Sequence, residues 1–339
     1  MQGIKEFTLD GLKEFFLSID EKPYRAEQVY KWLYKDRVES FDDMTNLSIE
    51  LRDKLKDYFY IEKLEILEKQ ISEDGTIKYL FKLPTSDAIE TVLMKYNHGY
   101  TICLSTQKGC KMGCKFCAST KAAFSGNLTA GEIIEQILMV EKTEDIRISN
   151  VVFMGIGEPL DNFENLVIAI ENINNHKGLE IGARHISIST CGVADKIRDL
   201  ADLKLQSTLS ISLHATNDID RSAIMPINNR FNLKELIDAV KYYTETTNRR
   251  VSFEYALIKD KNDNLEDAKE LVNLIKGIHS HVNLIPINEV EETDYKKTTN
   301  EKILKYRDYL NEHGIVATIR RELGSDIDAA CGQLRKRSI

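Results

Sequence analysis

Seven apolar, β-branched runs recur along the chain from about residue 100, and helical patterns fill most of the gaps between them. Strands that alternate with helices predict a parallel sheet with crossover connections. Continuous apolar runs are typical of strands buried on both faces. We therefore predict an α/β fold built as a partial (βα)6 barrel with a seventh strand added. The runs are 101–106, 150–155, 185–190, 208–214, 251–258, 281–288 and 315–321.

The first hundred residues have a different pattern. Residues 1–60 read as helical, because Ala26, Val29, Tyr30 and Leu33 fall on one face at helical spacing. Residues 61–95 carry shorter β-like runs with a turn signal at 74–75. The predicted organisation is a helical accessory domain over 1–60, a β-containing connector over 61–95 and the barrel over 96–339.

Three cysteines stand on one short segment, TQKGCKMGCKFCAST. Cys110, Cys114 and Cys117 have C-x3-C-x2-C spacing, which suits three irons of a [4Fe–4S] cube and leaves the fourth iron open to another ligand. Zinc is the alternative. A structural zinc site needs four protein ligands, and no second C-x2-C or H-x3-H pair is present.

Polar residues and glycines follow several of the predicted strands, at the edge where parallel barrels place their active sites. Gly155, Gly157 and Glu158 follow the second run and could cradle a polar ligand; an ordinary βα turn is the alternative. The other strand-end candidates are Ser189, Ser212, His214 and Asn288. A carboxylate pairs well with an ammonium, the serines suit a ribose or a carboxylate, and an amide suits an adenine edge. His214 is equally consistent with a structural histidine.

Composition narrows the class of protein. The chain has 339 residues, a net charge of −8 and a pI near 5.6, which argues against a nonspecific polyanion binder. No apolar run of 18 residues and no signal-peptide pattern is present, so we expect a cytoplasmic protein without a membrane partner. Six cysteines then favour metal or redox chemistry over structural disulfides. Basic pairs such as Arg320 and Arg321 read as solvated surface.

The remaining cysteines are ambiguous on their own. Cys331, in GSDIDAACGQL, is either a small buried residue or a thiol presented by a mobile, glycine-flanked loop. Cys103 reads as a buried strand residue and Cys191 as packing. Glu90 reads as a surface charge at the end of a strand.

Taken together, these segments resemble the RlmN/Cfr family of radical S-adenosylmethionine (radical SAM) methyltransferases, which methylate an adenine of 23S ribosomal RNA. The similarity spans residues 89–334. It rests on the cluster segment, on DIDAACGQL, and on the stretches NVVFMGIGEPLDN, HISISTCGV, SISLHATND, MPINNR and HVNLIPIN.

The resemblance implies a set of roles. The cluster and Gly157, Glu158, Ser189, Ser212, Leu213, His214 and Asn288 would hold S-adenosylmethionine, of which two molecules are used per turnover. Cys331 would carry the methyl group as S-methylcysteine, and a transient protein–RNA adduct would follow. Glu90 would accept a proton, and Cys103 would resolve the adduct through a transient disulfide with Cys331.

The resemblance also implies partners and leaves alternatives. The RNA substrates would be 23S rRNA and tRNA, with Lys22, Arg25, Lys31 and Lys35 as candidate contacts, and the electron donor would be a flavodoxin or ferredoxin. Pro159 favours methylation at C2 over C8 of adenine, because the C8 enzymes typically have alanine there. A C8 methyltransferase and a non-catalytic zinc-binding RNA adaptor are the alternatives.

Overall fold

The N-terminal unit consists of three helices closed by a pair of two-residue parallel strands. The structure is a computed structural model that describes residues 1–85, 87–290 and 293–338. Thr8 and Ser48 cap two of the helices by accepting backbone N–H groups. The predicted helical stripe of Ala26, Val29, Tyr30 and Leu33 is buried. The elements are β1 (Gln2–Gly3), α1 (Leu9–Ser18), α2 (Pro23–Tyr34), α3 (Ile49–Tyr58) and β2 (Phe59–Tyr60).

An antiparallel meander follows the helices. It comprises β3 (Glu65–Ile71), β4 (Ile77–Lys82) and β5 (Asp87–Tyr96). The predicted turn at 74–75 connects the first two strands, with Gly75 at a φ of +84°. β5 pairs antiparallel with β6 (Gly99–Cys103). The segment 61–95 therefore extends the sheet of the barrel.

The predicted α/β barrel is confirmed, with β6 as the first of seven parallel strands. A short hairpin of β7 (Gln107–Lys108) and β8 (Gly126–Asn127) flanks the cysteine segment. The order β6-β9-β10-β11-β12-β13-β14 follows the chain, and the predicted β-runs supply these strands. They are β9 (Ile148–Phe153), β10 (Ile186–Thr190), β11 (Thr208–Ser212), β12 (Val251–Leu257), β13 (Ser280–Pro286) and β14 (Ala317–Ile319).

Helices cross between the parallel strands and pack on the sheet. The first of them, Ala130–Glu144, begins with a capping box, in which Thr129 and Glu132 each accept the backbone N–H of the other. Among the described residues, no helix is long and apolar enough to cross a membrane. The crossover helices are α4 (Ala130–Glu144), α5 (Phe163–Asn174), α6 (Ala194–Asp202), α7 (Asp218–Ile224), α8 (Leu233–Thr247), α9 (Leu265–Ile275) and α10 (Asn300–Glu312). A last short strand, β15 (Arg337–Ser338), pairs with β5.

Buried polar contacts join the N-terminal unit to the barrel. Lys5 is only 3% exposed, and its ammonium pairs with the Glu135 carboxylate of α4 and bonds the Glu62 carbonyl oxygen. The Glu62 carboxylate accepts the Lys5 backbone N–H, and burial raises its pKa to about 7. Tyr30 donates to Asn172 of α5 at 2.9 Å. The interface therefore contains buried charged groups, and removing one partner would leave the other charge buried and unpaired at a high cost in free energy.

Candidate active site

A cavity of about 170 Å³ opens at the carboxyl ends of the parallel strands, where the sequence placed the chemistry. All seven strand-end candidates, the three cysteines of the C-x3-C-x2-C segment and Cys331 line it. The strand-end residues are Gly155, Gly157, Glu158, Ser189, Ser212, His214 and Asn288. Residues up to 221 positions apart in the chain therefore meet in one space (Cys110 to Cys331).

The cysteine segment forms a loop between β7 and β8. Its backbone is anchored by the Lys115 N–H, which donates to the Ile224 carbonyl at the end of α7 at 2.9 Å. The three thiols are free, and burial raises the pKa of Cys110 to about 12. Iron would have to displace that proton. Among the described residues, no three His, Cys, Asp or Glu side chains converge as around a single ion; thiolates of a cube each bind a different iron.

Glu158 is a buried carboxylate held in place by the backbone. Its oxygens accept the N–H groups of Leu160 at 3.1 Å and Cys191 at 2.7 Å, while burial raises its pKa. It lines the cavity, where an ammonium group would relieve the cost of its burial. Gly157 has a φ of +110°, and a Cβ there would lie 2.6 Å from the Cβ of Gln107. This glycine is therefore required by packing against β7, whatever ligand binds.

His214 is a fixed, neutral hydrogen-bond donor. The Ala256 N–H donates to its Nδ1 at 2.9 Å, which leaves the proton of the neutral ring on Nε2. Burial lowers its pKa to about 3, and its ring meets that of Phe116 edge-on at 4.9 Å. Leu213, by contrast, is in the core and is not among the cavity-lining residues. Its N–H donates to the Glu254 carbonyl and its carbonyl accepts from Arg221.

The segment that carries Cys331 is docked on the cysteine loop. Ala118 donates its N–H to the Gly332 carbonyl at 2.7 Å, and the Ser119 hydroxyl donates to the Leu334 carbonyl at 2.7 Å. The amide of Asn288 donates to the Cys331 carbonyl at 2.9 Å. One N–H of the Asn288 amide thus positions Cys331, which leaves its Oδ1 and its second N–H for the adenine edge expected from the sequence.

A second, smaller cavity lies on the other side of Cys331. Cys103 and Cys331 both line it, together with Met94, Met154 and Tyr96. Both thiols are free, and burial followed by the charge of Cys331 raises the pKa of Cys103 to about 12. Cys331 therefore stands between the first cavity and the thiol of Cys103.

Glu90 was expected at the surface on sequence grounds alone, and this expectation is wrong. The residue is 1% exposed on β5, on the same face as Val92, which pairs with Cys103 of β6. Its carboxylate accepts the backbone N–H of Arg335 at 2.8 Å and lies 3.7 Å from the Lys78 ammonium. It is covered by the segment that follows Cys331 and lines neither of the two cavities.

Sequence reasoning missed several residues of the site. Arg320, expected to be solvated, lines both cavities with Cys331, and its guanidinium lies 3.6 Å from the Glu254 carboxylate. Glu254 could have been recognised from the sequence, since it is a carboxylate inside an apolar run predicted to be a strand. Cys191, assigned to packing, is in the core cluster but also lines the first cavity.

The candidate RNA contacts of the N-terminal unit do not form one free basic face. Lys22 and Lys31 are exposed. Lys35 pairs with Glu180 at 3.3 Å, and the Arg25 guanidinium bonds Gln28 and the Asn46 carbonyl. Two of the four candidates are thus already engaged within the protein.

Comparison with known proteins assigns the chain to a family. The model for the ribosomal RNA large subunit methyltransferase N-terminal domain matches residues 3–61, and that of the radical SAM superfamily matches residues 104–275. A probable dual-specificity RNA methyltransferase RlmN of Clostridium novyi is 51% identical over 100% of this chain and 99% of its own length. The chain belongs to the RlmN family of radical SAM RNA methyltransferases.

Other relatives agree with this assignment. An RlmN relative from Bacillus pumilus is 51% identical over 99% of this chain and 94% of its own length. The crystal structure of a radical SAM methyltransferase from Sphaerobacter thermophilus superposes with a TM-score of 0.91 at 38% identity, covering 98% of this chain and 99% of that one. The chain is therefore an RNA-methylating enzyme, and the zinc-adaptor alternative is wrong.

Membership of this family implies a [4Fe–4S] cluster and S-adenosylmethionine. The residues present fit both groups. Three free thiols line the same cavity as the buried Glu158 carboxylate and the neutral His214 donor. No protein hydrogen bond uses Nε2 of His214 within the described part of the chain, so this donor is available to a ligand.

Proposed function

We propose that this RlmN-family enzyme methylates C2 of an adenine in 23S rRNA and in tRNA. The observation that carries the proposal is the position of Cys331, between the cavity of the three cluster thiols and the cavity that contains Cys103. C2 of adenine lies between two ring nitrogens and is not nucleophilic, so ordinary methyl transfer to it is disfavoured. A methyl group carried on a protein sulfur and added as a carbon radical avoids this difficulty.

Cys110, Cys114 and Cys117 are the residues that would hold the cluster. Glu158 would bind the ammonium of S-adenosylmethionine, and Ser189, Ser212 and His214 would donate to its carboxylate or ribose. Together the two groups would supply a 5′-deoxyadenosyl radical able to remove a hydrogen atom from a methyl group on Cys331. The low-potential electron for this step would come from a flavodoxin or ferredoxin.

Cys331 acts twice in this scheme, so two molecules of S-adenosylmethionine are used per turnover. Its thiolate first takes a methyl group from one molecule and becomes S-methylcysteine. The methylene radical then adds to C2 and joins RNA to protein. Glu90 accepts the C2 proton, and the unpaired electron of the adduct would return to the cluster. The Cys103 thiolate then attacks the Cys331 sulfur, so that a disulfide forms while the sulfur–methylene bond breaks, and the methylene carbon takes up a proton to become the methyl group of the released base. Since the backbone N–H of Arg335 covers the Glu90 carboxylate, the segment after Cys331 has to shift for this proton transfer.

Pro159 supports C2 over C8 as the target, because the C8 enzymes typically have alanine at this position. It lines the cofactor cavity at the start of a short turn of helix. The test is anaerobic reaction of the iron-loaded enzyme with an rRNA fragment and with tRNA, followed by nucleoside mass spectrometry. We expect 2-methyladenosine from both RNAs and none from a Cys331→Ala variant. A product of 8-methyladenosine would overturn the proposed target carbon, and methylation by the Cys331→Ala variant would overturn the route.

A further inference from the structure

Arg221 is a buried cation whose hydrogen-bond acceptors are all neutral. It lies on α7 and is 0% exposed. Its Nη2 donates to the carbonyl oxygens of Cys191 at 2.7 Å and Ser212 at 3.1 Å. Its Nε donates to the Leu213 carbonyl at 3.1 Å, and its Nη1 to the Asn228 side-chain oxygen at 3.0 Å. The guanidinium therefore joins the carboxyl ends of β10 and β11.

Asp218, a carboxylate whose charge acts on Arg221, does not form an ion pair with it. Asp218 stands at the start of α7, but its Oδ1 accepts from the Asn228 amide at 3.0 Å and from the Leu233 N–H at 2.8 Å. Within the described part of the chain, no carboxylate forms an ion pair with Arg221. A fully buried cation without a counter-charge is costly. A neutral donor could make the same hydrogen bonds to carbonyl groups, so these bonds do not by themselves explain a permanent charge at this position.

The location of Arg221 indicates which anion offsets this cost. Its guanidinium supports the wall of the cofactor cavity from behind, through the Cys191 and Ser212 carbonyls. The same helix receives the cysteine loop, since its last carbonyl, Ile224, accepts the Lys115 N–H at 2.9 Å. Three cluster thiolates bring net negative charge to this wall, and reduction of the cluster adds one more. Burial lowers the pKa of Arg221, and the charges of Cys191, Cys114 and Asp218 act in the opposite direction.

We propose that Arg221 is a positioning residue for electron transfer: its fixed positive charge stabilises the reduced cluster and so raises the cluster's reduction potential. The electron comes from a one-electron, low-potential donor, and the cluster is the only group reduced. Net charge near a cluster is one of the determinants of its potential, and the effect of a charge is large where water is excluded. The proposal rests on the cluster that the family implies, and it does not depend on which RNA carbon is methylated.

The test separates charge from shape with two substitutions that both lose the forked hydrogen bonds. Arg221→Lys keeps the charge and Arg221→Gln removes it. Asp218→Asn disturbs the same network around Asn228 while leaving Arg221 intact. Each variant is loaded with iron anaerobically, and the cluster is titrated with a chemical reductant while electron paramagnetic resonance follows the reduced form. This readout is independent of methyl transfer.

We expect the Gln variant to be reduced at least tenfold less favourably than the wild type, a shift of about 59 mV to lower potential for one electron. In the Arg221→Lys and Asp218→Asn variants, the reduction potential of the cluster should differ from the wild-type value by less than about a third of that shift. Equal potentials for Lys and Gln, or a comparable fall in Asp218→Asn, would overturn the proposal. If the Arg221→Gln protein does not retain iron, the proposal requires that the Arg221→Lys protein does retain it. Equal loss of iron from both variants would contradict the proposal.

Discussion

The N–H of Ala118 donates to the carbonyl oxygen of Gly332 at 2.7 Å. One residue follows the last cluster cysteine and the other follows Cys331, so a single hydrogen bond couples the cluster loop to the proposed methyl carrier. Gly332 adopts a φ of +86°, a conformation that favours glycine. The position of Cys331 therefore depends on the backbone conformation at Gly332, and the glycine itself is the only sign of that conformation in the sequence.

Gly332→Ala should disturb the carrier without removing the cluster. The Cβ meets nothing closer than the Phe116 carbonyl oxygen at 3.6 Å, so the cost is backbone strain of about 1–2 kcal/mol. We expect normal iron content and a severalfold lower fraction of methylated Cys331, measured by peptide mass spectrometry. Gly314→Ala is the matched control, with a φ of +78° and open space around it. Equal methylation in the two variants contradicts the coupling.

His214→Asn should weaken binding of S-adenosylmethionine about tenfold, the value of one hydrogen bond. Asparagine tolerates the positive φ of 57° at this position and can still accept from Ala256, so the fold should persist. Since the pKa of His214 is lowered to about 3, the ring is neutral throughout pH 6–8. The factor lost, measured by equilibrium dialysis, should be the same at pH 6 and pH 8. A loss that grows towards pH 6 would show a charged imidazolium instead.

Lys5→Met should destabilise the protein by about 3–5 kcal/mol, because it leaves the buried Glu135 carboxylate without its partner. Urea unfolding of the loaded enzyme measures this. Lys63→Met is the control, since Lys63 pairs with Glu39 at the exposed surface and its loss should change the free energy of unfolding far less. Similar losses in the two variants would remove the case for a buried ionic link between the N-terminal unit and the barrel.

The strands and their ends could be predicted from the sequence because hydrophobic periodicity is local. The apolar runs that correspond to β9, β10 and β11 show this pattern clearly. The parallel order of the strands follows from the helices between them. Glu158, Ser189 and Ser212 could then be brought to one edge without coordinates.

Other members of the site could not be predicted, because their roles depend on tertiary contacts. Arg221 lies on a short helix with no distinguishing pattern, and only the fold brings its guanidinium behind Cys191. Arg320 follows the seventh strand as one of two arginines, and its placement beside Cys331 requires knowing where the C-terminal segment turns back. Glu90 is buried for the same reason, since Arg335 covers it.

Cys331 should carry a methyl group when the enzyme is produced in cells that assemble its cluster. Peptide mass spectrometry should find a mass shift of one methyl group on Cys331 and none on Cys191, although both line the cofactor cavity. Replacing Cys110, Cys114 and Cys117 by alanine should abolish the modification together with iron binding. Active enzyme with an unmodified Cys331 during turnover would contradict the carrier role.

The most direct test of the account uses Cys103→Ala, because the two readings of this residue diverge completely. As a core residue 7% exposed, Cys103 would cost about 1 kcal/mol to truncate, with turnover retained. As the thiol that releases the base, its loss should stop the reaction at the covalent intermediate. Ile102→Val truncates a neighbouring buried residue of β6 that lines neither cavity, at a similar cost in stability, and serves as the control.

The measurement is a denaturing gel of anaerobic reactions containing labelled RNA. We expect the Cys103→Ala protein to accumulate a retarded, nuclease-sensitive species joined through Cys331, while the Ile102→Val protein releases its product. Normal yields of free methylated RNA from the Cys103→Ala protein would contradict the proposed route and leave Cys103 as a residue of the core.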